Sequence, residues 1–257
     1  MSVQRIRQPR VAELVASRLR DDILTGRLAE GDVLPSQEAL FAEFGVSPPA
    51  VREAIHILES DGLISVRRGN VGGAVVHLPS AERTAQMISM VLQTRAATPG
   101  DVSEALLHLE PICAGLCAAR ADRMTEVVPH LQAAIDAQSE QFDTPARYVP
   151  NARRFHEELV SRCGNEPMIL LIGALEVIWS AHESAVWSDE HHPDDPINPT
   201  TMRAALRDHH RLLGAIADGN TARAQRLAAA HLAAARRTTL AAGADRTIEA
   251  KLISNRD

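Results

Sequence analysis

One stretch, Gly31 to His77, constrains the fold more than any other: GDVLPSQEALFAEFGVSPPAVREAIHILESDGLISVRRGNVGGAVVH. Pro35 and Ser36 suit a helix start, through proline's fixed φ and serine's capping oxygen. A helix over Gln37 to Phe44 follows, with Leu40, Phe41 and Phe44 on one stripe. Gly45 permits a sharp reversal, since glycine takes positive φ without a Cβ clash. Ser47 is placed to cap a second helix with Pro48 at its first position. In that helix Val51, Ala54, Ile55 and Leu58 fall at i, i+3, i+4 and i+7, and Arg52, Glu53 and His56 occupy the other face. Asp61-Gly62 ends it. Leu63 to Arg67 and Ala74 to His77 read as two strands around the turn-rich tip Arg68–Gly73. Helix, turn, helix and basic-tipped hairpin describe a winged helix-turn-helix, whose second helix enters the DNA major groove. From the elements alone, a winged domain used for protein contacts is the competing reading.

The spelling of the motif goes further. Leu34-Pro35-Ser36, Gly45-Val46-Ser47, Val51-Arg52-Glu53-Ala54, Leu58-Glu59, Gly62-Leu63 and Arg67-Arg68-Gly69 stand where the GntR family of bacterial transcription regulators has them, and the segment resembles that family's DNA-binding domain. The resemblance implies a homodimer on double-stranded operator DNA. The family's recognition helix opens with a serine or threonine, an arginine and further polar residues, whereas this chain has Ser47-Pro48-Pro49-Ala50, and Glu38 stands where the family has an arginine. Two prolines and an alanine offer no side-chain donor, although they can pack on thymine methyls. Donor duty therefore falls on Arg52 and on Arg67 and Arg68 beside Gly69, with Ser36 and Ser47 as phosphate contacts.

Composition limits the rest. A chain of 257 residues is long enough for two modest domains. Only 3% of it is aromatic, and the second half is rich in alanine and leucine, which favours close-packed helices. No apolar run approaches the ~18 residues of a membrane span. The amino terminus, MSVQRIRQPRV, lacks a signal peptide's apolar core, so a cytoplasmic protein with no membrane partner is expected. The net charge of −6 confines DNA contact to local basic patches: Arg5, Arg7 and Arg10 at the start, Arg52, and Arg67-Arg68. Cys113, Cys117 and Cys163 sit in apolar helical patterns and read as buried thiols; Cys113 and Cys117 as a metal pair is the lesser reading.

Taken in order, an amphipathic helix from Val11 to about Thr25 completes a winged domain over residues 1–79. After Pro79-Ser80 the strand signals vanish, and residues 80–242 read as an all-helical bundle followed by a tail, 243–257. Helices are expected from Ala81 to Arg95, from Asp101 (with Glu104 as a capping box) to Asp122, and from Thr125 to Gln141. A break at Asp143-Thr144-Pro145 precedes helices at Asn151–Cys163 and Pro167–Val186. Beyond the loop Ser188–Pro196, Thr200–Ala217 and Thr221–Ala242 form a hairpin. The fold class is mainly α. Leu109-Glu110-Pro111, Ala118-Ala119-Arg120, Phe155-His156, Gly164-Asn165, Asp208-His209, Ala215-Ile216 with Gly219, and His231-Leu232, in this order, resemble the FCD effector-binding domain of the FadR-like branch of the family.

Within the bundle three histidines stand out. His209 and His231 are equidistant from Asn220 in the hairpin turn, so their rings reach the same height. His156 follows Phe155 on an earlier helix whose apolar stripe, Phe155, Leu159 and Val160, turns inward. Spacing alone leaves three separately hydrogen-bonded histidines as open as a divalent transition-metal site. The family pattern, in which matching histidines bind a metal, favours the metal: zinc first, then nickel or manganese. Two departures bear on the ligand. The aspartate that metal-binding members carry one turn before the first histidine is Ala152 here, with Asn151 offset around the helix. The arginine that in many members holds an effector carboxylate is Leu106, which disfavours a small dicarboxylate and favours a more apolar acid. Asn151, Trp179 and His182, with Trp187, are candidates for the effector pocket; His191 and His192 read as solvated, and His210 points elsewhere.

The expectation is a ligand-responsive transcription regulator that binds a small organic acid. Family precedent makes it a repressor released by its effector, although the residues leave the sign open. A metal-free regulator sensing an acyl chain or acyl-CoA is the first alternative. A zinc enzyme is the remote one, since no obvious general base accompanies the histidines.

Overall fold

The computed structural model describes residues 11–67, 73–142, 145–186, 199–241 and 247–251. The chain divides into two compact units, Met1–Ser80 and Ala81–Asp257.

In the first unit α1 (Val11–Leu24), α2 (Gln37–Phe44) and α3 (Pro48–Ser60) enclose a core of Val15, Leu19, Ile23, Leu40, Val51 and Leu58. Ser36 caps α2, its Oγ accepting from the Ala39 N–H at 3.2 Å, and Gly45 ends that helix at φ 63°. Strands β1 (Ile64–Arg67) and β2 (Gly73–Val76) pair antiparallel with Ile64 opposite Val76 and Arg67 opposite Gly73. Ser47 does not cap α3 through its side chain. Pro49 has no N–H to offer, and the next one, Ala50, already bonds the Ser47 carbonyl at 3.0 Å. The wing tip, with Arg68 and Gly69, lies outside the described residues.

The second unit is helical: α4 (Ala81–Thr94), α5 (Pro99–Ala119), the single turn α6 (Arg123–Glu126), α7 (Val128–Glu140), α8 (Pro145–Ser161), α9 (Glu166–Val186), α10 (Pro199–Ala217) and α11 (Thr221–Ala241). Helix α5 is long and apolar enough to cross a membrane by length and composition, but Leu106, Cys113, Ala114 and Cys117 face the core, and Leu109 and Ile112 are exposed. It packs on α11, and Gly115 allows the approach: a Cβ there would lie 2.4 Å from Gln225 Nε2.

Three expectations change. The capping box of α5 is Thr98 with Asp101, the Thr98 N–H donating to Asp101 Oδ2 at 2.7 Å. Pro99 fixes the first helical φ, which moves the helix start ahead of Asp101; Glu104 pairs with Arg236 at 3.4 Å instead. Helix α8 begins at Pro145, two turns earlier than predicted, because proline suits a first position as well as a break. The segment read as a tail is docked in part: Ile248 is fully buried, and its N–H donates to the Ala97 carbonyl at 2.9 Å.

Candidate functional site

Around α3 the exposed face carries Pro48, Pro49, Arg52, Glu53 and His56, with Ala50 half-buried. Ser36, Glu38, Ser47 and Arg67 are exposed as well. The apolar stripe of α3 is spent on the core, so its outward face offers two proline rings, the Glu53 carboxylate, the His56 ring and a single guanidinium.

The second site lies inside the bundle, where α8, α10 and α11 bring His156, His209 and His231 together. His209 Nε2 is 3.1 Å from His231 Nε2, which is 3.3 Å from His156 Nε2. All three rings are at least nine-tenths buried. Each turns its Nδ1 outward to a partner. His156 Nδ1 meets Glu110 Oε1 at 2.5 Å, and His209 Nδ1 meets Gln138 Oε1 at 2.8 Å. His231 Nδ1 faces Asp208 Oδ2 at 3.9 Å. The Gln138 amide is oriented by a relay. The Tyr148 hydroxyl donates to the Met202 carbonyl at 2.6 Å, so it must accept from Gln138 Nε2 at 2.7 Å. That leaves Gln138 Oε1 as acceptor and His209 Nδ1 as donor. Phe155 stacks on His209 with ring centroids 4.1 Å apart and fixes its plane.

Burial sets the charge state. It pushes His156 down to about 4, against the pull of Glu110, and His209 well below its usual value, helped by His231 and His156. Burial would raise Glu110, but His156 and Arg153 more than offset it, and its carboxyl lies below the usual range. Contact with His231 lowers Asp208 likewise.

His156 and His209 stay neutral, and a neutral ring that donates through Nδ1 presents a lone pair at Nε2. His231 Nε2 lies 3.1 and 3.3 Å from the other two, all three nitrogens lie within 4.8 Å of one another, and lone pairs so close repel unless a proton or cation lies between them. One proton serves two of them; a divalent cation serves all three. This is the donor set and outer support of a histidine metal site, and it fits the group. Negative charge is supplied one step out, by Glu110 and Asp208 through the rings, rather than by a ligand at Ala152.

A cavity of about 140 Å³ opens on the histidines, lined by Tyr148, Val149, Ala152, Arg153, Glu183, Thr201, Met202, Ala204, Ala205, Asp208, Ala234, Ala235, Thr238 and Thr239. Of the predicted pocket residues, Asn151, Trp179 and His182 are not in this lining. Trp179 borders a smaller pocket with Leu106, Arg153 and Leu232. His182 is structural: its Nδ1 donates to the Ile178 carbonyl at 2.8 Å, and its Nε2 accepts from the Glu249 N–H at 3.0 Å. Trp187, His191 and His192 lie outside the described residues. Sequence reasoning missed Glu110, Gln138, Arg153 and Glu183. The Leu109-Glu110-Pro111 motif was visible, but nothing in it told that the carboxylate turns inward to a histidine 46 residues on.

A helix-turn-helix unit joined to a helical unit with an internal ligand-sized cavity is the build of a one-component transcription regulator. Two family models agree: that of the bacterial regulatory proteins of the gntR family matches residues 11–75, and the FCD domain matches residues 101–234. The chain therefore belongs to the GntR family, with an FCD domain, and is a transcriptional regulator of that type. It is similar to the HTH-type transcriptional repressor NanR of Klebsiella aerogenes, 26% identical over 241 residues that cover 91% of this chain and 87% of the relative. It is also similar to the HTH-type transcriptional regulator Mce2R of Mycobacterium tuberculosis, 42% identical over 71 residues, or 28% of this chain and 30% of the relative. A solved Streptococcus agalactiae GntR shares the fold, with a TM-score of 0.66 at 22% identity over 88% of this chain and 99% of that one.

Proposed function

We propose that the chain is a homodimeric, operator-binding repressor whose helical unit holds a divalent transition metal on His156, His209 and His231 and senses a small organic acid there. The observation that supports the metal is the convergence of three Nε2 atoms whose Nδ1 partners, Glu110, Gln138 and Asp208, point away from the centre. A bound ion would offer open coordination positions to an effector oxygen, zinc being the first choice for an all-imidazole set. Ala152 leaves a methyl where a fourth protein ligand would close the site, so the cavity side stays open to an anion.

On the DNA side, Arg52 and Arg67 supply the donors, Ser36 and Ser47 contact phosphates, and Pro48, Pro49 and Ala50 pack on thymine methyls. Arg68 and Gly69 complete the wing contact. Two half-sites are needed because one winged domain offers a small interface. The effector acts by favouring one arrangement of the paired readers over the other. The size of the cavity argues against the acyl-CoA alternative: about 140 Å³ encloses a small acid, not a nucleotide-bearing thioester. The relative matched along most of the chain is named as a transcriptional repressor, which favours regulation over catalysis at the histidines.

Elemental analysis of the purified chain, followed by melting before and after zinc addition, tests the reading. The expected result is close to one equivalent of zinc, nickel or manganese per chain, and a stabilisation of the stripped protein of about 2.7 kcal/mol when zinc stands at 100 times its Kd. Less than a tenth of an equivalent, with no shift on adding metal, contradicts it.

A further inference from the structure

The cavity has two poles, and the histidines occupy only one. Its lining spans Tyr148 to His156 on α8, Thr201 to His209 on α10 and His231 to Thr239 on α11. Eight residues of helix measure about 12 Å, so the three helices share one long axis with the histidines closing one end. The waist is made by Ala152, Ala205, Ala234 and Ala235. Glu183, from α9, stands in the wall beside Thr239 and Arg153, away from the rings.

Glu183 is 7% exposed, and the Thr239 hydroxyl donates to its Oε1 at 3.0 Å. Its Oε2 receives no hydrogen bond; Arg153 Nε approaches to 3.6 Å. Arg153 is not a full counter-ion, because its guanidinium is bonded to Glu176, which is itself 1% exposed. Two buried carboxylates thus share one guanidinium, and a negative charge is left over in the cavity wall. A buried charge that must share its counter-ion is costly, and a ligand that brings a second cation or donor recovers that cost.

We infer that Glu183 is the receptor for a cationic group, and that the effector is a short zwitterion: a carboxylate at the histidine pole and an ammonium on Glu183 Oε2. The chain's cavity, about 140 Å³, matches the ~150 Å³ engineered cavity that admits benzene, which points to a guest of roughly six to nine non-hydrogen atoms. An ω-amino acid of four to six carbons has that size, an aliphatic middle for the alanine waist and opposite charges at its ends. A dicarboxylate of equal length sets a second anion against Glu183, in keeping with the loss of the family arginine at Leu106. The inference rests on the metal-anchored acid proposed above for the histidine pole.

Calorimetry on the zinc-loaded full chain with 5-aminopentanoate, pentanoate and glutarate tests it. The expected order is 5-aminopentanoate at least tenfold tighter than pentanoate, with glutarate weakest, and Glu183→Gln brings the first two to within threefold of each other. If pentanoate or glutarate binds wild type as tightly as 5-aminopentanoate, the ammonium receptor is overturned while the metal-anchored acid stands. If the ranking survives in Glu183→Gln, the assignment to Glu183 is overturned. If none of the three acids binds the zinc-loaded chain, both readings fail. The wild-type ranking decides even if the variant does not fold.

Discussion

The two units spend polar side chains in opposite ways. In the winged unit the core is apolar throughout, from Val15 and Ile23 to Leu58 and Val76, and the described polar groups offered to DNA, Ser36, Ser47, Arg52 and Arg67, stand in water. In the helical unit the interior holds Glu110, Gln138, Arg153, His156, Glu176, Glu183, His209 and His231, and all the buried polar side chains of the described residues lie in this unit. A reader of phosphates needs charge on its surface, where solvent screens it and where its loss costs little folding energy. A sensor of a small molecule needs charge in a dry cavity, where each interaction is stronger and each missing partner expensive. Function and stability should therefore separate in the first unit and be entangled in the second.

The sharpest break of that contrast is a pair of arginine substitutions. Arg153→Ala strands Glu176 and Glu183 and should cost about 3–5 kcal/mol in urea unfolding, as for other broken buried pairs. Arg20→Ala, which removes the part-exposed partner of Asp61 in the winged unit, should cost under about 1 kcal/mol. Equal costs would erase the distinction.

Acid should find the same asymmetry. In the metal-stripped protein His156 is held at about 4, against about 6.5 in the unfolded chain. The unfolded state takes up the proton first as pH falls, so this contribution is complete above about pH 6.5 and is lost progressively toward pH 4. The loss is on the order of 3 kcal/mol, and His156→Gln should flatten it. Unfolding free energies measured at pH 7 and 4.5 check the sign; a stability that rises on acidification contradicts it.

Smaller effects belong to the reader. Arg52→Ala should weaken operator binding by about 1–3 kcal/mol while leaving the melting temperature unchanged, and unaltered affinity would remove Arg52 from the interface. Arg67→Ala should reduce the slope of log affinity against log salt by about one unit, and an unchanged slope would mean that it touches no phosphate.

Local patterns told most of the fold. The i, i+3, i+4, i+7 spacing of Val51 to Leu58 and the glycine at 45 mark α3 and the turn before it, because those features act over a few residues. The symmetry of His209 and His231 about Asn220 brought two rings to one height, because a helical hairpin has a simple geometry. What the sequence hid is long-range. Glu110 lies 46 residues from His156, and Gln138 lies 71 from His209, and no periodicity announces such a pairing. The effector-pocket candidates Asn151, Trp179 and His182 follow residue type, whereas eight of the seventeen residues lining the cavity are alanine or threonine, which mark a pocket by being small. Two helix starts lie earlier than the pattern suggests, because Pro99 and Pro145 each open a helix and Pro145 reads equally well as part of a break.

The central claim is that the buried histidine pole governs the exposed reader. Operator affinity at fixed salt, measured for wild type and His231→Gln while zinc and then the short carboxylic acids are added, tests it most directly. The account predicts a shift of at least about fivefold in wild type, the low end of ordinary coupling between sites, and none in the variant. A variant that shifts as wild type does, or a wild type whose grip on its operator ignores both zinc and acid, would contradict it.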